Sequence, residues 1–179
     1  MKKITDEQMK ILRDLISTHN TIRYGILQKE VHQTVENHTN RMLALAHVIA
    51  ASEGLHFDKN ELNGFILLHD LPELGMKQDI TTWLIDLFNA YEEQKTELTR
   101  FVKWLDKYEA SLHMIEIDFY SEIPLINFSI NTDRLIKATI KFPRLKQLTL
   151  KYMDNELRPI WERSNQMNDF VELRNMLEE

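Results

Sequence analysis

The sequence predicts an all-α fold, one helical bundle, on three observations. Apolar residues recur at spacings of three and four through most of the chain. Only four glycines and four prolines occur in 179 residues, too few for the many tight turns of a β-sandwich or barrel. That length buries one well-packed core and is short for two, so residues 1–179 are read as a single domain.

The elements follow in order. Thr5-Asp6-Glu7-Gln8 reads as a capping box, and Met9, Leu12, Leu15 and Ile16 carry a first helix to about Thr18. Residues 19–34 are mixed and polar, with Gly25 inside, and read as a loop or broken segment. From Val35 the helical period returns, with His38, Met42, Leu45 and Ile49 on one face and Gly54 as the stop. Asp58 caps a further helix in which Leu62, Phe65, Ile66 and His69 share a face, and Pro72 and Gly75 mark a break. Trp83, Leu84, Leu87, Phe88 and Tyr91 predict the next helix; Leu98, Phe101, Val102, Leu105 and Leu112 predict another. Ile115 to Ile130 is open between short strands, from its alternating Ile and Phe, and a helix interrupted at Pro124. Asp133 to Phe142 and about Glu156 to Leu177 read as helices.

Composition sets bounds on function. Without cysteine there is no disulfide framework, zinc ribbon or thiol nucleophile, which fits a reducing, cytoplasmic setting. The longest uncharged apolar stretch, Met42 to Ala51, is too short to span a bilayer, and the N-terminus turns acidic at once, so no membrane association is expected. The net charge is −6, from 22 basic and 28 acidic residues, and no Lys/Arg block stands out. A nucleic-acid polymer is therefore not an expected partner, whereas a small anion needs only a local positive site.

Two histidines fall on inward faces. His38 opens one apolar stripe, and His69 closes another with Asp70 directly after it. A lone histidine in such a place is ordinarily a core residue with a satisfied hydrogen bond. Two of them beside an aspartate also suit a divalent ion held where helices meet.

The order Glu36-Asn37-His38-Thr39, then Leu67-Leu68-His69-Asp70-Leu71-Pro72-Glu73, then Gln78-Asp79-Ile80, resembles the HD-domain metal phosphohydrolases, and within them the small 5′-deoxynucleotidase group. The run Tyr91 to Lys107, with Phe101-Val102-Lys103-Trp104-Leu105-Asp106, is similar to a segment of that group that supplies its last metal aspartate. The resemblance covers about residues 20–115; residues 116–179 match no named pattern. It implies an HD-domain bundle that holds one divalent metal ion (Mn, Co, Zn or Mg) through His38, His69, Asp70 and Asp106. It also implies that Glu73 moves protons near the attacking water and that Asp79 assists at the water or the sugar. Asp133 rivals Asp106 as the last ligand; its alternative role is that of a helix-start residue.

On the substrate side, Lys103 shares nearly one helix face with Asp106. The resemblance implies that it places an ammonium by the metal; the alternative is a solvated surface lysine. Arg23-Tyr24 stands where the group has Arg-Trp, so Arg23 would meet the phosphate and Tyr24 would crowd the sugar. Tyr for Trp is a departure that would relax discrimination against a 2′-hydroxyl, and the alternative for Arg23 is a loop salt bridge. Ile26 would offer an apolar wall to a purine. Lys77-Gln78 and Thr81-Thr82-Trp83 also depart from the group, implying a remodelled loop; Trp83 stacks on a base or belongs to the core. His19, His32, His47, His56 and His113 have no motif support.

The implied activity is release of phosphate from (deoxy)nucleoside 5′-monophosphates. The alternatives are a (d)NTP triphosphohydrolase, such as a phage-type enzyme acting on dATP, and a non-enzymatic helical binding module with a vestigial HD site. A homo-oligomer, dimer or larger, is expected from the same resemblance.

Overall fold

The computed structural model describes residues 22–23, 33–70, 82–116, 126–139, 141–163 and 167–178. A two-residue antiparallel pairing, β1 (Ile22–Arg23) with β2 (Gln33–Thr34), leads into helices. These are α1 (Val35–Ser52), α2 (Lys59–Leu68), α3 (Thr82–Glu93), α4 (Glu97–Glu116), α5 (Ile126–Thr139) and α6 (Pro143–Tyr152). A π-helical turn at Met153–Leu157 joins α6 to α7 (Arg158–Arg163), and α8 (Met167–Glu178) follows. The fold is all-α, as the periodicity predicts.

Local chemistry sets the helix ends that position the site. Thr34 caps α1, its hydroxyl accepting from the Asn37 amide at 3.1 Å. The helix ends at Gly54, whose φ of +64° lies in the left-handed region. The Leu55 amide then donates back to the Ala50 carbonyl at 2.8 Å, a Schellman closure with Leu55 buried behind it. Asp58 caps α2 through the amides of Asn60 and Glu61 at 2.9 and 3.0 Å. At the other end of α2, His69 is the capping residue. Thr96 and Thr99 exchange backbone and hydroxyl hydrogen bonds at the start of α4.

The long α4 is the central element; it packs along α5 and also meets α1, α2 and α3. Its Phe101, Val102, Trp104 and Leu105 are buried in a core shared with Met42, Ile66, Tyr91 and Leu135. Residues 106 and 109 lie on the side of α4 away from Trp104, where α1 and the end of α2 approach it.

Several sequence expectations change. The helical alternative holds for Ile126 to Ile130, which belong to α5. Asp133 is consequently in the middle of a helix and not at its start. Its carboxylate accepts from Lys137 Nζ at 2.7 Å, one turn on. The expected single helix from Glu156 to Leu177 is divided: it starts inside the π-helical turn and continues as α7 and α8. Helix α6 was not expected; Pro143, which occupies its first turn, spends no hydrogen bond there. The expected helix from Thr5 to Thr18 lies outside the described residues.

Candidate metal centre

Three of the four expected ligands converge. His38 from α1, His69 from the end of α2 and Asp106 from α4 each offer one ligand atom, and these atoms lie within 4.8 Å of one another. All three residues are buried. Nε2 of His38 is 3.1 Å from Nε2 of His69 and 3.4 Å from Oδ1 of Asp106. Asp70, also buried, brings Oδ1 to 3.2 Å from Nε2 of His69.

The outer ring nitrogens show where one hydrogen of each ring sits. Nδ1 of His69 is 2.5 Å from the Ile66 carbonyl oxygen, which only accepts, so Nδ1 carries the hydrogen. Nδ1 of His38 donates to Oε2 of Glu109. With a hydrogen on each Nδ1, both rings turn Nε2 toward each other across 3.1 Å, beside the Asp106 carboxylate. Such a convergence of donors to a cation is unfavourable by itself and favourable around a divalent ion. One ion at the ordinary zinc–nitrogen distance of about 2.0–2.1 Å reaches both nitrogens. The residues present therefore fit a metal.

Glu109 was not anticipated. It is fully buried and saturated: Oε1 accepts from Gln33 Nε2 at 2.7 Å and from Arg41 Nε at 2.6 Å, while Oε2 takes the His38 hydrogen. Arg41 also grips Glu116 through both terminal nitrogens, at 2.7 and 2.8 Å. Burial pushes the Glu109 carboxyl up, but His38, Arg41 and Gln33 outweigh it and hold it below its ordinary range. Burial also pushes Asp106 up, and His38, Lys107 and His69 bring it well below the usual carboxylate range. Both groups are anions at neutral pH. The sequence signal for Glu109 was its place three residues after Asp106, a carboxylate within an apolar helical face.

The cation that meets Asp106 is Lys107, its Nζ 2.7 Å from Oδ2. Lys103 is half-buried one turn earlier, with Nζ 5.8 Å from the centre of the Tyr91 ring. Asp133 is not in the converging group. Glu73, Asp79, Tyr24 and Ile26 lie outside the described residues, as do the side chains of Arg23 and Trp83; the backbone of Arg23 pairs with Gln33. His47 is exposed and lies 3.0 Å from Oδ1 of Asn63, His56 is exposed, and burial pushes the His113 ring down.

No helix among the described residues is long and apolar enough to cross a membrane. Comparison with protein-family models, with curated proteins and with solved structures finds no match to this chain.

Proposed function

We propose that the protein is a metal-dependent phosphohydrolase that releases phosphate from (deoxy)nucleoside 5′-monophosphates. The observation that carries this reading is the buried meeting of His38, His69 and Asp106, with both imidazoles oriented from behind. The motif order through Glu73, Asp79 and Asp106, and its resemblance to HD-domain phosphohydrolases, support the assignment to phosphate esters. His38, His69, Asp70 and Asp106 would hold one divalent ion. When bound, that ion supplies a Lewis acid for a phosphoryl oxygen and lowers the pKa of a water.

The chain's own residues do the rest. Glu109 keeps His38 in the tautomer whose Nε2 faces inward, and the Ile66 carbonyl does the same for His69. Lys107 neutralises part of the charge on Asp106. Glu73 takes the proton from the attacking water and returns one to the leaving oxygen, with Asp79 assisting. Arg23 and Lys103 bind the phosphate; Tyr24 and Ile26 bound the nucleoside.

The test is metal analysis of the purified protein, followed by assay of all common dNMPs, NMPs and dNTPs with Mn, Co, Zn and Mg, scored by product. Orthophosphate and nucleoside from monophosphates is the expected result. A protein with no bound or restorable divalent ion, or one that is metal-loaded and inert on the whole panel, overturns the reading.

A further inference from the structure

A second feature adjoins the metal centre without belonging to it. Between α4 and α5 runs an open groove of about 320 Å³, lined by Arg100, Lys103 and Lys107 from one helix and Arg134 and Lys137 from the other. Gln94 and Ala138 complete its lining, and no acidic residue is among them. This is a concentrated positive site on a chain whose net charge is −6.

The ion pairs show how much of that charge is spoken for. Lys107 is paired with Asp106 and Lys137 with Asp133. Arg100 gives Nε to the Gln94 carbonyl at 2.7 Å, an uncharged acceptor, and Lys103 lies over the Tyr91 ring. Among the described residues, no carboxylate is within ion-pair distance of Arg100, Lys103 or Arg134. Three cations in one groove repel one another, and a multivalent anion relieves that repulsion.

Spacing defines the anion. Arg100, Lys103 and Lys107 stand at i, i+3 and i+7, so they form one stripe along α4. At a rise of about 1.5 Å per residue the stripe spans about 10 Å. A single phosphate engages only part of such a row. Two or three linked phosphates present charge along its length, and guanidinium groups at Arg100 and Arg134 suit their paired oxygens. A long nucleic acid would extend past the groove along a chain whose net charge is −6.

We propose that the α4–α5 groove is a binding site for oligophosphate, a short run of linked phosphates carried on a nucleoside or free in solution. The site shares Lys103 with the proposed hydrolytic site but draws none of its charge from a metal. It reaches the centre through Lys107, which lines the groove and pairs with Asp106.

The experiment is calorimetric titration of the full chain in EDTA, so that chelation of a metal by the ligand does not register. The probes are inorganic tripolyphosphate, orthophosphate, and the triphosphate and monophosphate of one nucleoside. Tripolyphosphate should bind, and orthophosphate should bind at least about tenfold more weakly, a difference of about 1.4 kcal/mol. Arg134→Glu, an exposed change outside the metal centre, should weaken tripolyphosphate binding by about tenfold or more while circular dichroism is unchanged. A nucleoside triphosphate that binds more tightly than tripolyphosphate identifies a nucleotide tail as the occupant; the opposite order identifies the free anion. Equal binding of orthophosphate and tripolyphosphate, or a folded Arg134→Glu protein that binds as well as the parent, overturns the proposal. Because metal and turnover are not measured, this result and the fate of the hydrolytic reading are separable.

Discussion

The Glu109 carboxylate stands behind His38, on the side of the ring away from His69, and receives its Nδ1 hydrogen. This fixes which nitrogen faces the centre and makes that nitrogen more basic. Glu109→Gln should therefore lower metal affinity by about 10–100-fold. Titration against a competing chelator measures this, with circular dichroism to show that the fold is kept. An unchanged affinity would remove Glu109 from the positioning of His38.

Asp106→Asn and Asp133→Asn should separate cleanly. The first replaces a carboxylate within the converging group by a weaker amide ligand, so metal and turnover should both be lost. The second breaks only an exposed pair with Lys137, worth about 0.3–0.5 kcal/mol, and should leave the metal in place. Metal analysis of the two proteins decides; the reverse pattern would place the last ligand on α5.

Glu73→Ala should keep the metal and lose about 10²–10⁴-fold in rate, as removal of a general acid–base group does. A loss below about tenfold with metal retained would move Glu73 from proton transfer to a supporting role.

Acid should destabilise the apo protein in two stages. His113, pushed down by burial, binds its proton more weakly folded than unfolded, so stability begins to fall as the pH drops below about 6.5. Asp106 and Glu109 are held down despite burial, by His38 together with neighbouring cations. Their contribution is whole above the ordinary carboxylate pKa of about 4 and is lost as the pH falls through their lower folded values. In urea titrations at successive pH values, His113→Gln should remove the upper stage and Glu109→Gln should shrink the lower. Unaltered profiles in both variants would contradict these assignments.

Gly54→Ala should cost about 1–2 kcal/mol, because a Cβ is disfavoured at φ +64° although nothing stands within 4 Å of it. Gly54→Asn should cost less, since Asn visits that region more readily. Urea midpoints at neutral pH give both values, and a neutral Gly54→Ala would mean that α1 ends differently in solution.

The parts of this structure legible in the sequence are those with local causes. The stripe of His38, Met42 and Ile49 predicts α1 and Asp58 the start of α2, while the Thr34 cap stands in a polar stretch with no local mark of its own. The inward faces of His38 and His69 are legible from the helical period, whereas Asp106 entered only through the resemblance of its neighbours to a known motif order. Nothing local says that Glu109 belongs to His38, since the bond closes over 71 residues. Helix α6 is hidden in the sequence because Pro143 reads as punctuation, whereas a proline in the first turn begins a helix. The π-helical turn at Met153–Leu157 has no period of its own for a sequence to display.

The three converging side chains come from α1, α4 and the residue that caps α2, in a chain that has no cysteine. An ion held among them would act as the cross-link that such a chain otherwise lacks, closing a span of 31 residues between His38 and His69 alone. Unfolding and release of the ion then become one event. Free metal at a hundred times its dissociation constant would raise stability by about 2.7 kcal/mol. Exchange for a more weakly held ion should loosen the bundle in step with the chemistry, so melting temperature would rank the ions by affinity without any substrate present.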